Sequence, residues 1–368
     1  MSSSVISQAL PEPQSEPARR AAVATPVSVV IPVRDEERYL EESVRRVLDQ
    51  AYDGEIEVVL AVAPSNDRTT QIAESLAARD PRVVLVANPD GGTPHALNAA
   101  IAASRHPYVI RVDAHGLLPA RYLRDVVDLL ETTGAANVGG MMRVEGETAF
   151  GRAVAAAMSS PLGIGGSKFH VGGEPGPART VYLGAFRREV LVELGGFDEH
   201  YRRAQDWELN YRIRQAGHTV WFTPDLAVTY RPRRDFAALR RQFFASGQWR
   251  RQIVEEHPDT ASFRYLAAPG VTAIVALGCL IGLVGVGCIA AGPTGLGWLT
   301  AGLLAPAGYA LGVLVAGARI GRGLPWRVQA LLPLVVMTMH LSWGSGFLRS
   351  IPRSQRRPRY RGRRRLTS

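Results

Sequence analysis

The stretch VSVVIPVRDEERYLEES, residues 27–43, decides the fold. Seven residues, mostly β-branched, run without a charge into Arg34-Asp35-Glu36-Glu37, and helical periodicity takes over beyond them. An apolar run of that length, closed by a charged loop, reads as a strand buried on both faces. The pattern recurs as EIEVVLAV (55–62), RVVLVAN (82–88) and YVIRVDA (108–114), and each run except the last is followed within a few residues by a helix-like segment. Strands alternating with helices predict an α/β domain with a mostly parallel, Rossmann-like sheet covered on both faces, spanning residues 26–231.

Outward from this domain the chain changes character. Residues 1–25 are rich in Ser, Pro, Ala and Gln and lack the basic start and apolar core of a secretory signal, so a loose tail is expected. Tyr265 to Ala318 is 54 residues without a charge, broken by Gly292-Pro293-Thr294-Gly295. About 20 apolar residues cross a bilayer, so this reads as a two-helix transmembrane hairpin, 266–291 and 292–318. A third stretch, 328–348, is long enough to span but carries His340, Ser342 and several Gly.

The formal charge of +10 belongs to the C-terminal part alone. From residue 261 onward there are 13 Arg and no Asp, Glu or Lys, with nine Arg between Arg349 and Arg365. A basic tail directly behind apolar segments points to anionic membrane lipids rather than nucleic acid. Arg319, Arg322 and Arg327 belong on the cytoplasmic side by the positive-inside rule, which places residues 1–260 in the cytoplasm of a multi-pass cell-membrane protein. Three full crossings would export the Arg-rich tail (349–368), so the third segment is expected to be re-entrant or interfacial. Just before the membrane, in the region 232–262, Phe236, Leu239 and Phe243 form one helical stripe beside Arg240, Arg241, Arg250 and Arg251. This suits either the headgroup layer or the surface of the soluble domain. Cys279 and Cys288 both lie inside an apolar run and build neither a disulfide framework nor a zinc module.

Candidate chemistry collects at strand ends. The loop after Pro32 lies at the carboxyl edge of the first strand, where ligands of open α/β sheets bind. Neither G-x-G-x-x-G nor a P-loop is present, which argues against dinucleotide folds and P-loop ATPases. Gly163-Ile164-Gly165-Gly166-Ser167-Lys168 fails that spacing and reads as a mobile loop. Asp67, in SNDRT (65–69), is placed to contact a base or ribose, or to cap the following helix. Asp113 and His115 follow the fourth strand, where strand alternation would set a carboxylate and an imidazole on one divalent ion. Asp206, in QDWELNYR (205–212), stands at the start of a helix as either its N-cap or a general base.

Taken in order, VSVVIPVRDEERYLEES, SNDRT, NPDGGTPHALNAAI, RVDAHG, YLGAFRREVLVELGGFDE and QDWELNYRIRQAG resemble a family 2 inverting glycosyltransferase with the GT-A fold. More narrowly, they are similar to the membrane-bound, succinoglycan-type branch that builds exopolysaccharides. The resemblance covers roughly Val27 to Pro269. It implies that Pro32, Arg34, Glu36, Asp67 and Asp113 line a nucleotide pocket, that Asp113 and His115 form the metal motif, and that Asp206 is the catalytic base. Two residues depart from the family pattern: His115 stands where a second Asp is usual, and Gln205 where a Glu is usual. Imidazole tolerates Mn²⁺ better than Mg²⁺, so the cofactor is either of the two. The processive signature Gln-x-x-Arg-Trp is absent, which favours one sugar per encounter. The implied partners are a nucleotide-sugar donor, UDP-linked by expectation, a polyprenyl-linked glycan acceptor and membrane lipids. Alternatives on the same fold are a polyprenyl-phosphate sugar synthase and a catalytically idle membrane scaffold.

Overall fold

The computed structural model describes residues 24–292 and 295–351. Most of the expected N-terminal tail and the Arg-rich tail beyond Ile351 lie outside the described residues. Eight strands among them form one sheet: β1 (Val27–Val33), β2 (Ile56–Val62), β3 (Val83–Ala87), β4 (Tyr108–Arg111), β5 (Asn137–Val144), β6 (Gly176–Pro177), β7 (Tyr182–Arg187) and β8 (Val220–Tyr230). Their spatial order is β3-β2-β1-β4-β7-β5-β8-β6. Strands β1 to β4 are mutually parallel, and β5 is parallel to β8. Strand β7 runs antiparallel between β4 and β5, and β6 antiparallel on β8.

The sheet domain carries α1 (Leu40–Leu48), α2 (Thr69–Arg79), α3 (Thr93–Ala103), α4 (Tyr122–Thr133), α5 (Ala149–Met158), the single turns α6 (Pro161–Ile164) and α7 (Lys168–Val171), α8 (Arg188–Glu193) and α9 (Gln205–Gln215). Strand periodicity sorts them into two layers. Val27, Val29, Ile31 and Val33 of β1 pack with Ile56, Val58 and Leu60 of β2 against α1, α2 and α4. The alternate residues, Val30 of β1, Val59 and Ala61 of β2 and Val109 of β4, pack against α3, α8 and α9. Side chains that alternate across a strand thus fill both faces, the signature of a buried, mostly parallel sheet. The first three strands fall within a residue of their expected limits. The fourth stops at Arg111, and Asp113 to Gly116 form a turn closed by a Gly116 N–H to Asp113 carbonyl bond of 2.7 Å. Asp113 and His115 therefore meet through a turn rather than through strand alternation.

Beyond the sheet come α10 (Phe236–Glu256), α11 (Phe263–Ala291), α12 (Leu304–Ile320) and α13 (Trp326–Leu348). Three helical segments, Phe263–Ala291, Gly297–Ile320 and Trp326–Leu348, are long and apolar enough to cross a membrane. The second opens as a 3-10 helix over Gly297–Leu303, so the α-helix begins later than the expected 292. The third segment, α13, is one continuous helix of 23 residues. Its Val328, Leu332, Val335, Val336 and Met339 share a core with α5 and with Leu239 and Phe243 of α10. The apolar stripe of α10 is thus covered by α13 and does not face the headgroups. Glycines permit the close approach: a Cβ on Gly247 would collide with the Trp343 carbonyl, and one on Gly346 with that of Phe244.

Candidate active site

The site is assembled around Arg111, the last residue of β4. Strand parity sends its side chain to the face that carries α9, and only 5% of the residue is exposed. Its Nη2 lies 3.0 Å from Asp113 Oδ1, its Nε 3.3 Å from the same oxygen, and its Nη1 donates to Asp206 Oδ1. One guanidinium therefore bridges the metal-motif carboxylate and the expected base, residues 93 positions apart. Burial works against the charge on Arg111, yet Asp206 and Asp113 hold it firmly protonated. Burial also raises the Asp206 carboxyl above the usual aspartate value, against the pull of Arg111 and with the help of Asp113.

Asp206 is not the N-cap. Helix α9 starts at Gln205, with Ala204 as N-cap in the left-handed region at φ 61°, and Asp206 points into the cleft from the first turn. A non-glycine residue in that region carries strain, and here it sets the register that aims the carboxylate. The rest of α9 is anchored from behind. Arg212 holds Glu208 at 2.7 and 2.8 Å and donates to the carbonyls of Leu194 and Gly196, while Asn210 bonds Asn137 of β5 at 2.6 Å and Thr180 at 3.0 Å.

His115 Nδ1 stands 2.8 Å from Glu36 Oε1. Burial would lower the imidazole, but the bond to Glu36 and the charges of Asp113 and Glu36 raise it on balance. A ring nitrogen bonded to a carboxylate leaves the other as the ligand, the usual support of a metal-binding histidine. Glu36 thus touches His115 as well as the pocket it was expected to line. Among the described residues no cluster of three or more His, Cys, Asp or Glu is set to hold a metal by itself. Asp113 and His115 offer one oxygen and one nitrogen donor, which fits an ion whose remaining ligands come from a substrate diphosphate.

Pro32, Arg34, Glu36, Asp113, His115 and Asp206 all line one cavity of about 1320 Å³. Arg34 reaches the Gly91 carbonyl at 3.3 Å and tethers the loop before α3. Asp67 is not among the residues lining that cavity. Its Oδ1 accepts from the Thr69 N–H at 3.0 Å and its Oδ2 from the Glu37 N–H at 3.2 Å, so it ties the loop after β2 to the loop after β1. Asp35, at φ 53°, makes a second tie by accepting from the Asn66 N–H at 2.8 Å. The glycine-rich stretch is not an unstructured loop: α6 and α7 are helical turns and, with the residues between them, form a wall of the cavity. Arg111 escaped the sequence reading, although a charge inside YVIRV was the available signal, since a cation in a central strand needs carboxylate partners.

A mostly parallel sheet with carboxylates gathered beyond the ends of β1 and β4 and at the start of α9 is of the GT-A type. The model of the family described as "Glycosyl transferase family 2" matches residues 28–195. The chain is 33% identical over 331 residues, 89% of its own length and 96% of the relative's, to "Succinoglycan biosynthesis protein ExoA" of Rhizobium meliloti. It belongs to the family 2 glycosyltransferases. It is also 23% identical over 60% of its length, and 71% of the relative's, to a dolichyl N-acetyl-α-D-glucosaminyl phosphate 3-β-D-2,3-diacetamido-2,3-dideoxy-β-D-glucuronosyltransferase of Methanococcus voltae. In fold it is similar to the mannosyltransferase PcManGT of Pyrobaculum calidifontis, solved with GDP-Man and Mn²⁺, with a TM-score of 0.53, 23% identity and 85% of each chain covered.

Proposed function

We propose that the chain transfers a sugar, with inversion, from a nucleotide-diphosphate sugar, UDP-linked in this reading, to a lipid-linked glycan in exopolysaccharide or cell-envelope glycan synthesis.

The observation that carries this reading is the Arg111 bridge, which puts Asp113 and Asp206 on one cavity. The resemblance to a succinoglycan biosynthesis protein supports the glycan product, and the name of the Methanococcus relative supports a lipid-borne acceptor. The apolar helices beside the site support a membrane-held acceptor, with the sheet domain on the cytoplasmic side.

In this mechanism Pro32, Arg34 and Glu36 border the nucleotide, while Asp67 and Asp35 hold the two loops that shape its pocket. Asp113 and His115 would hold a divalent cation, Mn²⁺ or Mg²⁺, which supplies charge neutralisation for the leaving diphosphate. The structural neighbour solved with GDP-Man and Mn²⁺ supports that requirement. Asp206 accepts the proton of the acceptor hydroxyl as its oxygen attacks the anomeric carbon, and the bond from that carbon to the diphosphate breaks on the opposite side. Arg111 fixes the positions of both carboxylates.

Asp206→Asn is the test. Turnover should fall about 10²- to 10⁴-fold while nucleotide-sugar binding persists, as for the loss of a general base. The product's anomeric configuration, read by NMR, should be opposite to the donor's. Full turnover by the variant, or a retained configuration, would refute the mechanism.

A further inference from the structure

The cavity does not end at the carboxylates. It continues along the first turns of α11 past Tyr265 and Ala268 to Val271, and is closed by Tyr309 of α12 and Trp343 of α13. From Phe263 to Val271 this is about 12 Å of helix, at 1.5 Å per residue. One continuous space therefore joins the proposed base to a gap between three membrane-length helices.

Where the polar and apolar parts meet stands Arg250 of α10, 6% exposed. It is sandwiched between the Trp207 ring at 4.3 Å and the Tyr265 ring at 3.5 Å. Nη2 donates to the Thr260 carbonyl at 3.1 Å, and the buried Nε has no partner. No carboxylate pairs with it among the described residues, and the cations that act on it are Arg264 and Arg179. Burial and those two cations push it down to about 10. Arg264, on the first turn of α11, also lines the cavity and, among the described residues, donates only to the Tyr265 hydroxyl, at 2.7 Å. A buried arginine without an anion is costly, and a guanidinium fork matches phosphate oxygens.

A second group, Arg203 and Arg233, also lines the cavity, where Arg233 acts on His115. Neither has a carboxylate partner among the described residues. The cavity thus carries two separate cationic places, one beside the metal motif and one beside the membrane helices.

We propose that Arg250 and Arg264 bind the diphosphate of a polyprenyl carrier whose hydrocarbon chain lies in the gap between α11, α12 and α13. This rests on the transferase reading, and it assigns the acceptor's anchor to residues distinct from those at the donor. The chemistry is consistent along the space: apolar walls, then two guanidinium groups, then Trp207, then Asp206. A carrier seated this way presents its sugar to the base while its lipid stays at the bilayer.

The test uses the full chain in lipid nanodiscs, with binding measured for undecaprenyl diphosphate, undecaprenol and inorganic pyrophosphate. Wild-type protein should prefer undecaprenyl diphosphate to either fragment by at least about tenfold. Arg264→Gln and Arg250→Gln should each lower that affinity about tenfold, as expected when a charged hydrogen bond is lost, and leave UDP- and GDP-sugar affinity unchanged. Arg264 is exposed, so its variant tests the site even if Arg250→Gln fails to fold. Equal affinity for undecaprenol, or an Arg264→Gln protein that binds the diphosphate like wild type, would overturn the site. So would a parallel loss of nucleotide-sugar affinity, which would move these arginines to the donor. Failure of the transferase reading looks different: wild-type protein would then bind no nucleotide sugar at all.

Discussion

A guanidinium at the end of a central strand is costly to bury and costly to strip of its partners. Arg111→Gln leaves Asp113 and Asp206 facing each other without a cation. Breaking a buried ion pair from one side costs about 3–5 kcal/mol, and the Asp206 side chain is 36% exposed, so the lower end applies. The variant should unfold at lower temperature and lose turnover, and Arg111→Lys should recover stability before activity, because one ammonium cannot reproduce the fork. Thermal unfolding and turnover on the same samples check both. The pH profile follows from Asp206. Its value is raised, so the carboxylate needed as base is depleted at a pH where an ordinary aspartate is still ionised. Turnover should climb with pH along a limb displaced above the usual aspartate range, and the residual activity of Asp206→Asn should lack that limb.

At the level of elements, much of the donor half was legible. The run 27–33 is β1 to the residue, because a buried parallel strand needs a continuous apolar sequence and a charged loop to end it. The other half was not. Strand β5, NVGGMMRV, contains Gly139 and Gly140, and its register against β8 shifts between Gly139 and Met141, so no period of two survives to be read. The helix that carries Asp206 was legible, but the sequence left Asp206 as a possible N-cap, and it is Ala204 that occupies the cap. Arg250 read as an arginine of either the headgroup layer or the domain surface, because spacing along α10 does not reveal that Trp207 and Tyr265 enclose it.

Two element-level outcomes follow. Glu57 of β2 is 2% exposed and accepts from Ser28 Oγ at 2.7 Å and Arg105 Nε at 2.7 Å. Burial alone would raise it, but these bonds and the charge of Arg105 lower it below the ordinary 4.5. Its stabilisation is therefore complete above that value and is lost as the pH falls through the lower folded one. Glu57→Gln should lower stability near neutrality and flatten the acid limb of a thermal-stability profile. Gly346→Leu should force α13 from Phe244 of α10 and cause a large loss of thermal stability in detergent, whereas an unchanged melting temperature would show that the two helices do not pack at this contact.

For the whole molecule, the sheet domain and the apolar helices share one core rather than a linker. Ala153, Val154 and Ala157 of α5 and Leu239 and Phe243 of α10 are buried against α13. A chain stopped after residue 257 would expose that face, so it should aggregate or bind detergent, whereas a domain on a flexible tether would remain monodisperse. Size-exclusion chromatography distinguishes the two. The charge map agrees with this architecture: all the net positive charge lies from residue 261 onward, nine of its 13 Arg behind the last apolar segment.

Strand β7 has a mechanical implication. It stitches strands β1 to β4 to β5 and β8 with antiparallel bonds, so no fissure divides the sheet into jaws that swing shut. In a stiff plate of this kind, the parts free to vary around the cavity are the loops and single-turn helices on its wall.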